Sequence, residues 1–298
     1  MEEKELKIKV QQLSKPSLAR FMAQVVWQWA LLAAAIGAYV AYPSIPMFFL
    51  ASIVVGISQH GLVVLGHEGV HFCITRKKWL NDFIGSLFCF YPVGMTVTAY
   101  RDFHFPHHKT PTSPEDPETP LRRDLGRDWV PTFSMKKGMR LWFLSFFGFS
   151  LRETLVFVKC LPMGNVKDRV GMLLFWGVAS FIAYKTGHLS VIGLCYYALV
   201  TTYFSHMRIQ GWHEHSLSES NDVMTSRYSL PNPLYRLLMP NNIWLHYEHH
   251  KYPNIPFYRL EQVRELDQTA KIFSFEEMVD AELVQHQRQS EHKEKLAA

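Results

Sequence analysis

Three clusters of histidine in this sequence have the spacing that brings imidazole rings together on one face of a helix. Positions i, i+3 and i+4 of a helix lie on the same side, so histidines with this spacing can reach one point. Two of the clusters contain three histidines each, and the third contains two at i and i+4. In chain order the members are His67 and His71, then His104, His107 and His108, and then His246, His249 and His250. Such clusters suit a metal better than a packed core, so we predict that these side chains bind metal.

A ninth histidine, His215, stands alone between the second and third clusters. Nine imidazoles are too many for one ion, whereas two ions with four or five nitrogen ligands each fit the number. All-imidazole ligation suits iron, copper, zinc or nickel, so the ligand type leaves the metal open. The four cysteines form no Cys-x-x-Cys pair, which argues against a thiolate site or a disulfide framework.

The first cluster, His67-Glu68-Gly69-Val70-His71, also matches the His-Glu-x-x-His motif of zinc metalloproteases. In that motif the two histidines bind zinc and the glutamate is the general base. An intramembrane zinc peptidase would need only one further ligand and would leave the other two clusters without a role. It is therefore the more remote alternative, with Glu68 as its base.

Long apolar segments must position these histidines. Four segments of about the length that a spanning helix needs are almost free of charge. They cover residues 25–42, 47–66, 170–185 and 189–206 and form two hairpins with short links. We predict an all-α integral membrane protein with four transmembrane helices and a cytoplasmic helical cap that holds a histidine-rich dimetal site. The whole chain, residues 1–298, is predicted to be a single domain.

The distribution of charge predicts the orientation. The first link, residues 43–46, carries no charge and the second carries only Lys185, whereas the other loops are rich in lysine and arginine. By the positive-inside rule both termini then face the cytoplasm. The predicted cytoplasmic parts, residues 1–20, 67–169 and 207–298, contain every cluster. Two apolar stretches, 79–97 and 139–161, are predicted to lie in or on the membrane surface, because a crossing would separate the clusters.

A two-metal site at the cytoplasmic mouth of an apolar bundle is placed to act on a long apolar chain. Breaking an unactivated C–H bond requires an oxidant, and zinc has no redox chemistry to provide one. Iron with dioxygen does, so the position favours two irons. A metal transporter is disfavoured, because the spans hold few polar residues beyond Gln28, Ser52, His60 and the region of His206.

The order of the clusters resembles the integral-membrane fatty acid desaturase superfamily. That family has a His-x-x-x-His box, a His-x-x-His-His box, a single histidine after the last span and a second His-x-x-His-His box. Asp116-Pro117 and Tyr252-Pro253-x-x-Pro256 add to the resemblance, which covers about residues 25–260. It implies a non-haem diiron centre bound by His67, His71, His104, His107, His108, His215, His246, His249 and His250.

The resemblance implies an O2-dependent oxidase that introduces a double bond into a fatty acyl chain. Hydroxylases and ketolases acting on fatty acyl, alkane or carotenoid chains share the boxes and remain the alternative. The implied partners are a lipid or acyl substrate, membrane lipids and a separate ferredoxin-, rubredoxin- or cytochrome b5-type electron donor with its reductase; no nucleic acid is expected. A basic cytoplasmic face could dock an acidic carrier or an anionic head group, and its residues are Arg122, Arg123, Arg127, Lys136 and Lys137.

Residues near the clusters have secondary roles in this interpretation. Metal-bound histidines usually donate their second ring N–H to a carboxylate or a carbonyl. His60, two turns before His67 on the same helical face, is predicted to be a buried structural histidine rather than part of a substrate channel. The acidic residues beside the clusters either accept such bonds or face water, and they are Glu68, Asp102, Glu214 and Glu248.

Overall fold

The computed structural model describes residues 3–111, 113, 115–118, 140, 143–215, 226–228, 239–267 and 271–273. Within these ranges, π-helical segments continue two of the α-helices, at Ser86–Phe90 and Leu199–Tyr203, and short 3-10 segments cover Tyr91–Val93, Pro240–Asn242 and Phe257–Arg259. The α-helices are α1 (Glu3–Leu13), α2 (Leu18–Ala41), α3 (Ile45–Val70), α4 (Lys78–Gly85), α5 (Val97–Lys109), α6 (Leu151–Cys160), α7 (Val166–Lys185), α8 (Leu189–Ala198), α9 (Phe204–His215), α10 (His246–Lys251) and α11 (Leu260–Leu266).

The described part of the chain is helical, as the sequence predicts, apart from one short pair of strands. Strands β1 (Ser226–Tyr228) and β2 (Lys271–Phe273) form a parallel pair, with Ser226 opposite Lys271. A strand of three residues is too short to establish an alternating pattern, so the sequence does not indicate it.

Helices α2 and α3 form the first predicted hairpin. Ser44 caps α3, because its Oγ accepts a hydrogen bond from the backbone N–H of Met47 at 3.3 Å, and Pro46 stands in the first turn, where no N–H is needed. Both helices extend beyond the predicted spans 25–42 and 47–66, since α2 begins at Leu18 and α3 ends at Val70. The first histidine cluster therefore starts within α3 rather than beyond it.

Two of the described helices, α2 and α3, are long and apolar enough to cross a membrane. The segments Lys78–Val93 and Val97–Lys109 qualify as a third crossing only when they are taken together, and they meet at a bend of 92°. The predicted spans 170–185 and 189–206 fall on α7 and on α8 with its π-helical continuation. By length and composition the described residues thus offer two spans, or three with the bent pair, where the sequence predicts four.

Helix α3 lies at the centre of the fold. Every residue from Ser58 to Val70 is buried, as expected for a helix that is apolar around its whole circumference. Helices α2, α4, α5 and α8 pack around it. The approach of α4 is close because Gly69 and Gly85 face each other, and a Cβ atom on Gly85 would meet the Val97 side chain at 2.8 Å. This approach brings the C-terminal end of α3 next to α5.

One face of α7 is apolar and exposed. A contiguous exposed apolar surface marks contact with a membrane or with another protein. The residues of this face are 48–67% exposed, and they are Val170, Leu173, Leu174, Val178, Phe181 and Ile182. On the inner side, an apolar cavity of about 350 Å³ lies between α2, α3, α7 and α8, with Gln59 and Trp176 in its wall.

Candidate metal centre

Helix α5 carries the second histidine cluster. It begins at Val97 because Thr96 caps it, the Thr96 Oγ1 accepting a hydrogen bond from the Ala99 N–H at 3.1 Å. His104 and His107 are buried on this helix. The cluster thus lies within one continuous helix, as its spacing predicts.

The first cluster lies at the end of α3, with His67 on the last turn and His71 directly after the helix. The last carbonyl groups of a helix have no partner within it and need one from elsewhere. Asn81 of α4 and Arg101 of α5 each donate a hydrogen bond of 2.7 Å to the carbonyl oxygen of Gly69. Two neighbouring helices therefore fix the segment between the two histidines.

The third cluster lies on the short helix α10, which follows an unusual turn. Asn241 and Asn242 both have positive φ angles, 54° and 57°, which asparagine tolerates better than most residues. The side-chain amide of Asn241 donates to the Gly61 carbonyl at 3.3 Å, and that of Asn242 donates to the Phe257 carbonyl at 3.2 Å. The first bond holds the turn before α10 against α3, and the second holds it against the 3-10 segment Phe257–Arg259.

Five imidazoles drawn from all three clusters converge, and we call them the first imidazole group. The Nε2 atom of His104 lies 2.7 Å from that of His67 and 2.8 Å from that of His108. The Nε2 atoms of His108 and His249 are 3.0 Å apart. Ring nitrogens of all members lie within 4.8 Å of one another, and the members are His67, His71, His104, His108 and His249.

The second imidazole group consists of His107, His246 and His250, whose ring nitrogens also lie within 4.8 Å of one another. The Nε2 atoms of His107 and His250 are 3.3 Å apart. The ring of His250 stacks on that of His108, with centroids 4.0 Å apart and an angle of 15° between the planes. The two groups therefore touch and form one continuous site.

Carboxylates stand behind the second imidazole group. Both oxygens of Asp116, which is 1% exposed, lie 3.1 Å from the Nδ1 atom of His107. Glu118 Oε1 lies 3.8 Å from the same atom, and Glu214 Oε1 lies 3.4 Å from the Nδ1 atom of His246. A carboxylate beside Nδ1 favours the tautomer that carries its proton there, which leaves the Nε2 lone pair for a metal.

The donor set fits metal ions. A neutral imidazole has one N–H and one lone pair, so several converging Nε2 atoms cannot all satisfy one another by hydrogen bonds. The Nε2 atom of His71 has no hydrogen-bond partner among the described residues. Two nitrogen ligands at about 2.1 Å from one ion, at a right angle, lie about 3 Å apart. The Nε2 separations of 2.7–3.3 Å match this spacing.

Burial keeps these imidazoles in the neutral form that binds metal. It lowers the pKa of His71 well below its usual range, and the neighbouring His67 and His108 lower it further. Burial also lowers the pKa values of His249 and His250 well below that range, again with help from neighbouring imidazoles. The site is thus ready to bind cations without first losing protons.

A small cavity of about 30 Å³ adjoins both imidazole groups. His67 and His104 of the first group and His246 of the second lie in its wall. The wall combines apolar and hydrogen-bonding side chains, among them Val63, Tyr100, Glu118, Met207, Gln210 and Glu214. Part of a bound molecule could reach both groups from this cavity.

Eight of the nine predicted ligands meet in this site, as the five members of the first imidazole group and the three of the second. The ninth, His215, is the last residue of α9, and its side chain lies outside the described part of the structure. The predicted basic face at residues 122–137 lies outside it as well.

The predicted outer carboxylates have different surroundings. Glu214 faces a candidate ligand, as described above. Glu68 instead accepts a hydrogen bond at its Oε2 atom from the Phe257 N–H, at 3.2 Å. Asp102 is exposed and Glu248 is buried. Glu214 is therefore the predicted carboxylate that we place beside a candidate ligand, with its Oε1 atom 3.4 Å from the Nδ1 atom of His246.

Sequence reasoning does not identify Asp116 and Glu118 as partners of His107. The signals for them are the three carboxylates in the loop that follows the second cluster, Glu115, Asp116 and Glu118, and the place of Asp116-Pro117 in the family resemblance. The sequence also does not identify Arg101 and Gln210 as site residues, because nothing in the local pattern shows which distant groups their side chains contact.

These observations define a helical protein that has apolar helices long enough to cross a membrane and a histidine-rich candidate metal site. The family model described as fatty acid desaturase matches residues 43–272, which contain all three histidine clusters. The chain belongs to the fatty acid desaturase family.

Several characterised proteins are similar to this chain. Dihydrorhizobitoxine desaturase of Bradyrhizobium elkanii is 26% identical over 243 residues, or 74% of this chain and 67% of that protein. The sn-1 acyl-lipid omega-3 desaturase (ferredoxin) of Nostoc sp. (strain 36) is 24% identical over 74% of this chain and 66% of its own. Beta-carotene 4-ketolase 3 of Haematococcus lacustris is 24% identical over 69% and 58%. The chain thus spans 58–67% of the length of these relatives.

Proposed function

We propose that this protein is a membrane-bound, O2-dependent oxidoreductase that introduces a double bond into a fatty acyl chain. Its four transmembrane helices lie at residues 25–42, 47–66, 170–185 and 189–206, and both termini and the metal site face the cytoplasm. One iron ion is bound by the first imidazole group, and a second by the second imidazole group together with His215. The apolar outer face of α7 supports a membrane location for the second hairpin.

The observation that carries the proposal is the division of the imidazoles into two touching groups, one of five and one of three. A structural zinc site closes with four ligands, so eight imidazoles in contact favour two ions. Imidazole suits iron as well as zinc, copper and nickel. Iron is preferred because dioxygen chemistry at an unactivated C–H bond requires a redox-active metal, and bound iron supplies that chemistry.

The protein's own part is to hold the substrate beside the metal site and to keep water away. Gln59, Val63 and His67 follow one another at intervals of four residues on α3 and so share one face of the helix. Gln59 lies in the wall of the apolar cavity, and the other two lie in the wall of the small cavity. An acyl chain along this face would place its apolar end in the larger cavity and a pair of methylene groups beside both imidazole groups. The volume of about 350 Å³ suits a small ligand.

Desaturation removes two hydrogen atoms from the chain and reduces dioxygen to two molecules of water. The reaction therefore consumes two further electrons and two protons. A separate one-electron carrier of the ferredoxin, rubredoxin or cytochrome b5 type, with its reductase, supplies the electrons in this proposal. The name of the Nostoc relative, which includes ferredoxin, supports a donor of this class.

A hydroxylase or ketolase of the same family is the second candidate. The specific support for it is the similarity to a protein named as a carotene ketolase, over 69% of this chain. The same imidazole groups would serve both reactions, because after the first hydrogen atom is removed the two reactions differ only in the next step: in desaturation the neighbouring carbon loses a second hydrogen atom, and in hydroxylation the first carbon gains an oxygen atom. Placement of the chain relative to the site decides between them.

The zinc peptidase receives little support. A general base must face the metal-bound water, whereas Glu68 is held by the backbone of Phe257. The other histidine clusters lie in contact with the first, which a peptidase would not need.

The function is tested by expressing the full chain with an electron-donor system in a host that lacks a similar oxidase. Lipids from cells with wild-type protein and with His104→Ala are compared by gas chromatography and mass spectrometry. New double bonds only with wild-type protein support the desaturase, and new hydroxyl or keto groups support the second candidate. Proteolysis that Glu68→Gln abolishes, without any new lipid, would overturn the proposal.

A further inference from the structure

A chain of polar contacts connects the second imidazole group to the interior of the helical bundle. The Nδ1 atom of His246 lies 3.4 Å from Glu214 Oε1, which accepts a hydrogen bond of 2.5 Å from Gln210 Nε2. Gln210 Oε1 in turn lies 2.5 Å from the Nε2 atom of His60. We call these four residues, which come from α10, α9 and α3, the buried polar chain.

The donor and acceptor roles along the buried polar chain follow from the chemistry of its members. The amide nitrogen of Gln210 donates to Glu214, because the opposite amide orientation would turn an oxygen toward a carboxylate. The amide oxygen therefore faces His60, whose Nε2 must carry the ring proton. The Glu214 carboxylate also lies 3.4 Å from the Nδ1 atom of His246, where it favours a proton on Nδ1 and so leaves the His246 Nε2 atom for a metal. One arrangement of protons satisfies all three contacts.

His60 is fully buried, in a part of α3 where apolar packing alone would not require an imidazole. The rings of Tyr203 and His206 lie near it, with centroids 6.4 and 5.9 Å away. A phenyl ring would fill a similar volume without a polar group that must be satisfied. What an imidazole adds is the hydrogen bond to Gln210.

We propose that His60 and Gln210 are positioning residues for the metal site. They hold the Glu214 carboxylate in place and thereby fix the ring orientation and tautomer of His246. His60 also lies two turns before His67 on the same face of α3. Helix α3 thus carries both a member of the first imidazole group, His67, and the far end of the buried polar chain, His60, which orients a member of the second imidazole group. The inference rests on the proposed metal site but not on which substrate is oxidised.

The experiment titrates Co²⁺ into metal-free, full-length protein in detergent and records the visible d–d absorption, which reports ligand geometry. His60→Phe and Gln210→Leu break the buried polar chain. His60→Gln restores a donor for the Gln210 oxygen. His206→Phe is the matched control, because His206 is a buried histidine that is not part of the buried polar chain and whose Nδ1 donates to the Thr202 carbonyl, one turn earlier, at 2.7 Å.

We expect the wild-type chain to bind two Co²⁺ ions. In His60→Phe and in Gln210→Leu, one of the two ions should bind about tenfold more weakly and show an altered absorption spectrum. His60→Gln should recover the wild-type spectrum, and His206→Phe should keep it. Wild-type spectra and affinities in both chain-breaking variants would overturn the inference while leaving the metal site intact. The inference would also be overturned if His206→Phe changed the Co²⁺ affinity and spectrum as much as the two chain-breaking variants do. The changes would then reflect disturbed packing rather than loss of the buried polar chain. Absence of Co²⁺ binding by the wild-type protein would overturn the metal site itself.

Discussion

Arg101 binds Asp82 through two hydrogen bonds, 2.6 Å from Nη2 to Oδ1 and 3.0 Å from Nη1 to Oδ2. The same guanidinium donates to the carbonyl oxygens of Gly69 and Val70, the last two residues of α3. Those carbonyls lie between His67 and His71, while Arg101 itself stands three residues before His104 on α5. One side chain therefore ties the first histidine cluster to the second.

Replacement of Arg101 by lysine should destabilise the protein, because an ammonium cannot reproduce a planar, bidentate contact. The side chains of Arg101 and Asp82 are 14% and 24% exposed, so the pair is only partly screened by solvent. We expect a loss of about 1–3 kcal/mol in the free energy of unfolding, with weaker metal retention. Thermal unfolding of the detergent-solubilised protein measures the loss of stability, and metal analysis after dialysis measures the metal retention.

The control for this variant is Lys9→Ala, which removes the exposed pair between Lys9 and Glu5. Both side chains of that pair are exposed to solvent, so its loss should leave the free energy of unfolding almost unchanged. If Arg101→Lys changed the free energy of unfolding no more than the control does, the contacts of Arg101 between the two clusters would not contribute to stability.

Asp116→Asn should weaken metal binding at the second imidazole group. The carboxylate of Asp116 sets the tautomer of His107, and loss of such a partner costs about 10–100-fold in metal affinity. Competition with a chelator of known affinity measures the metal affinities of the variant and the wild-type protein. Glu115→Gln, a change at an exposed position of the same loop, is the matched control. Unchanged affinity in Asp116→Asn would show that His107 does not need its carboxylate partner.

Glu68→Gln should leave lipid oxidation and metal content close to wild type. The glutamine carbonyl can still accept the hydrogen bond from the Phe257 N–H, which is the role that the structure gives to Glu68. Lipid analysis and metal analysis of the variant test this expectation. Complete loss of activity with full metal content would instead return Glu68 to the position of a general base.

The metal-free protein should lose stability as the pH falls below about 6.5, the pKa of an unperturbed histidine. Burial lowers the folded-state pKa of His71, His249 and His250, so the unfolded chain takes up protons that the folded chain does not. Stability therefore rises with pH until the unfolded histidines are neutral and decreases in acid. Melting temperatures of metal-free protein between pH 8 and 5.5 measure the slope, which His249→Phe should reduce. A melting temperature that does not change over this range would contradict the burial of neutral imidazoles.

Local spacing is sufficient to place the histidine clusters on helices. His104, His107 and His108 lie on α5, and the last cluster lies on α10, because intervals of three and four residues match the helical repeat. The first hairpin is also predictable, since the two prolines after Tyr42 interrupt an otherwise uncharged apolar stretch.

The contacts that fix the site depend on packing between distant parts of the chain. His60 and Gln210 are 150 residues apart and Arg101 and Asp82 are 19 apart, and no periodic pattern links either pair. The close approach of α4 to α3 depends on glycines whose importance is visible only when the helices are packed together. Sequence spacing therefore predicts the candidate ligands, and the tertiary structure shows the groups that surround them.

The central claim is that two touching imidazole groups each bind one iron ion. The most direct measurement is the iron and zinc content per chain of purified full-length protein, with His249→Ala and His250→Ala alongside. We predict about two irons in the wild type and about one or fewer in each variant, since each removes a ligand from a different group. One zinc per chain, unchanged in both variants, would contradict the claim.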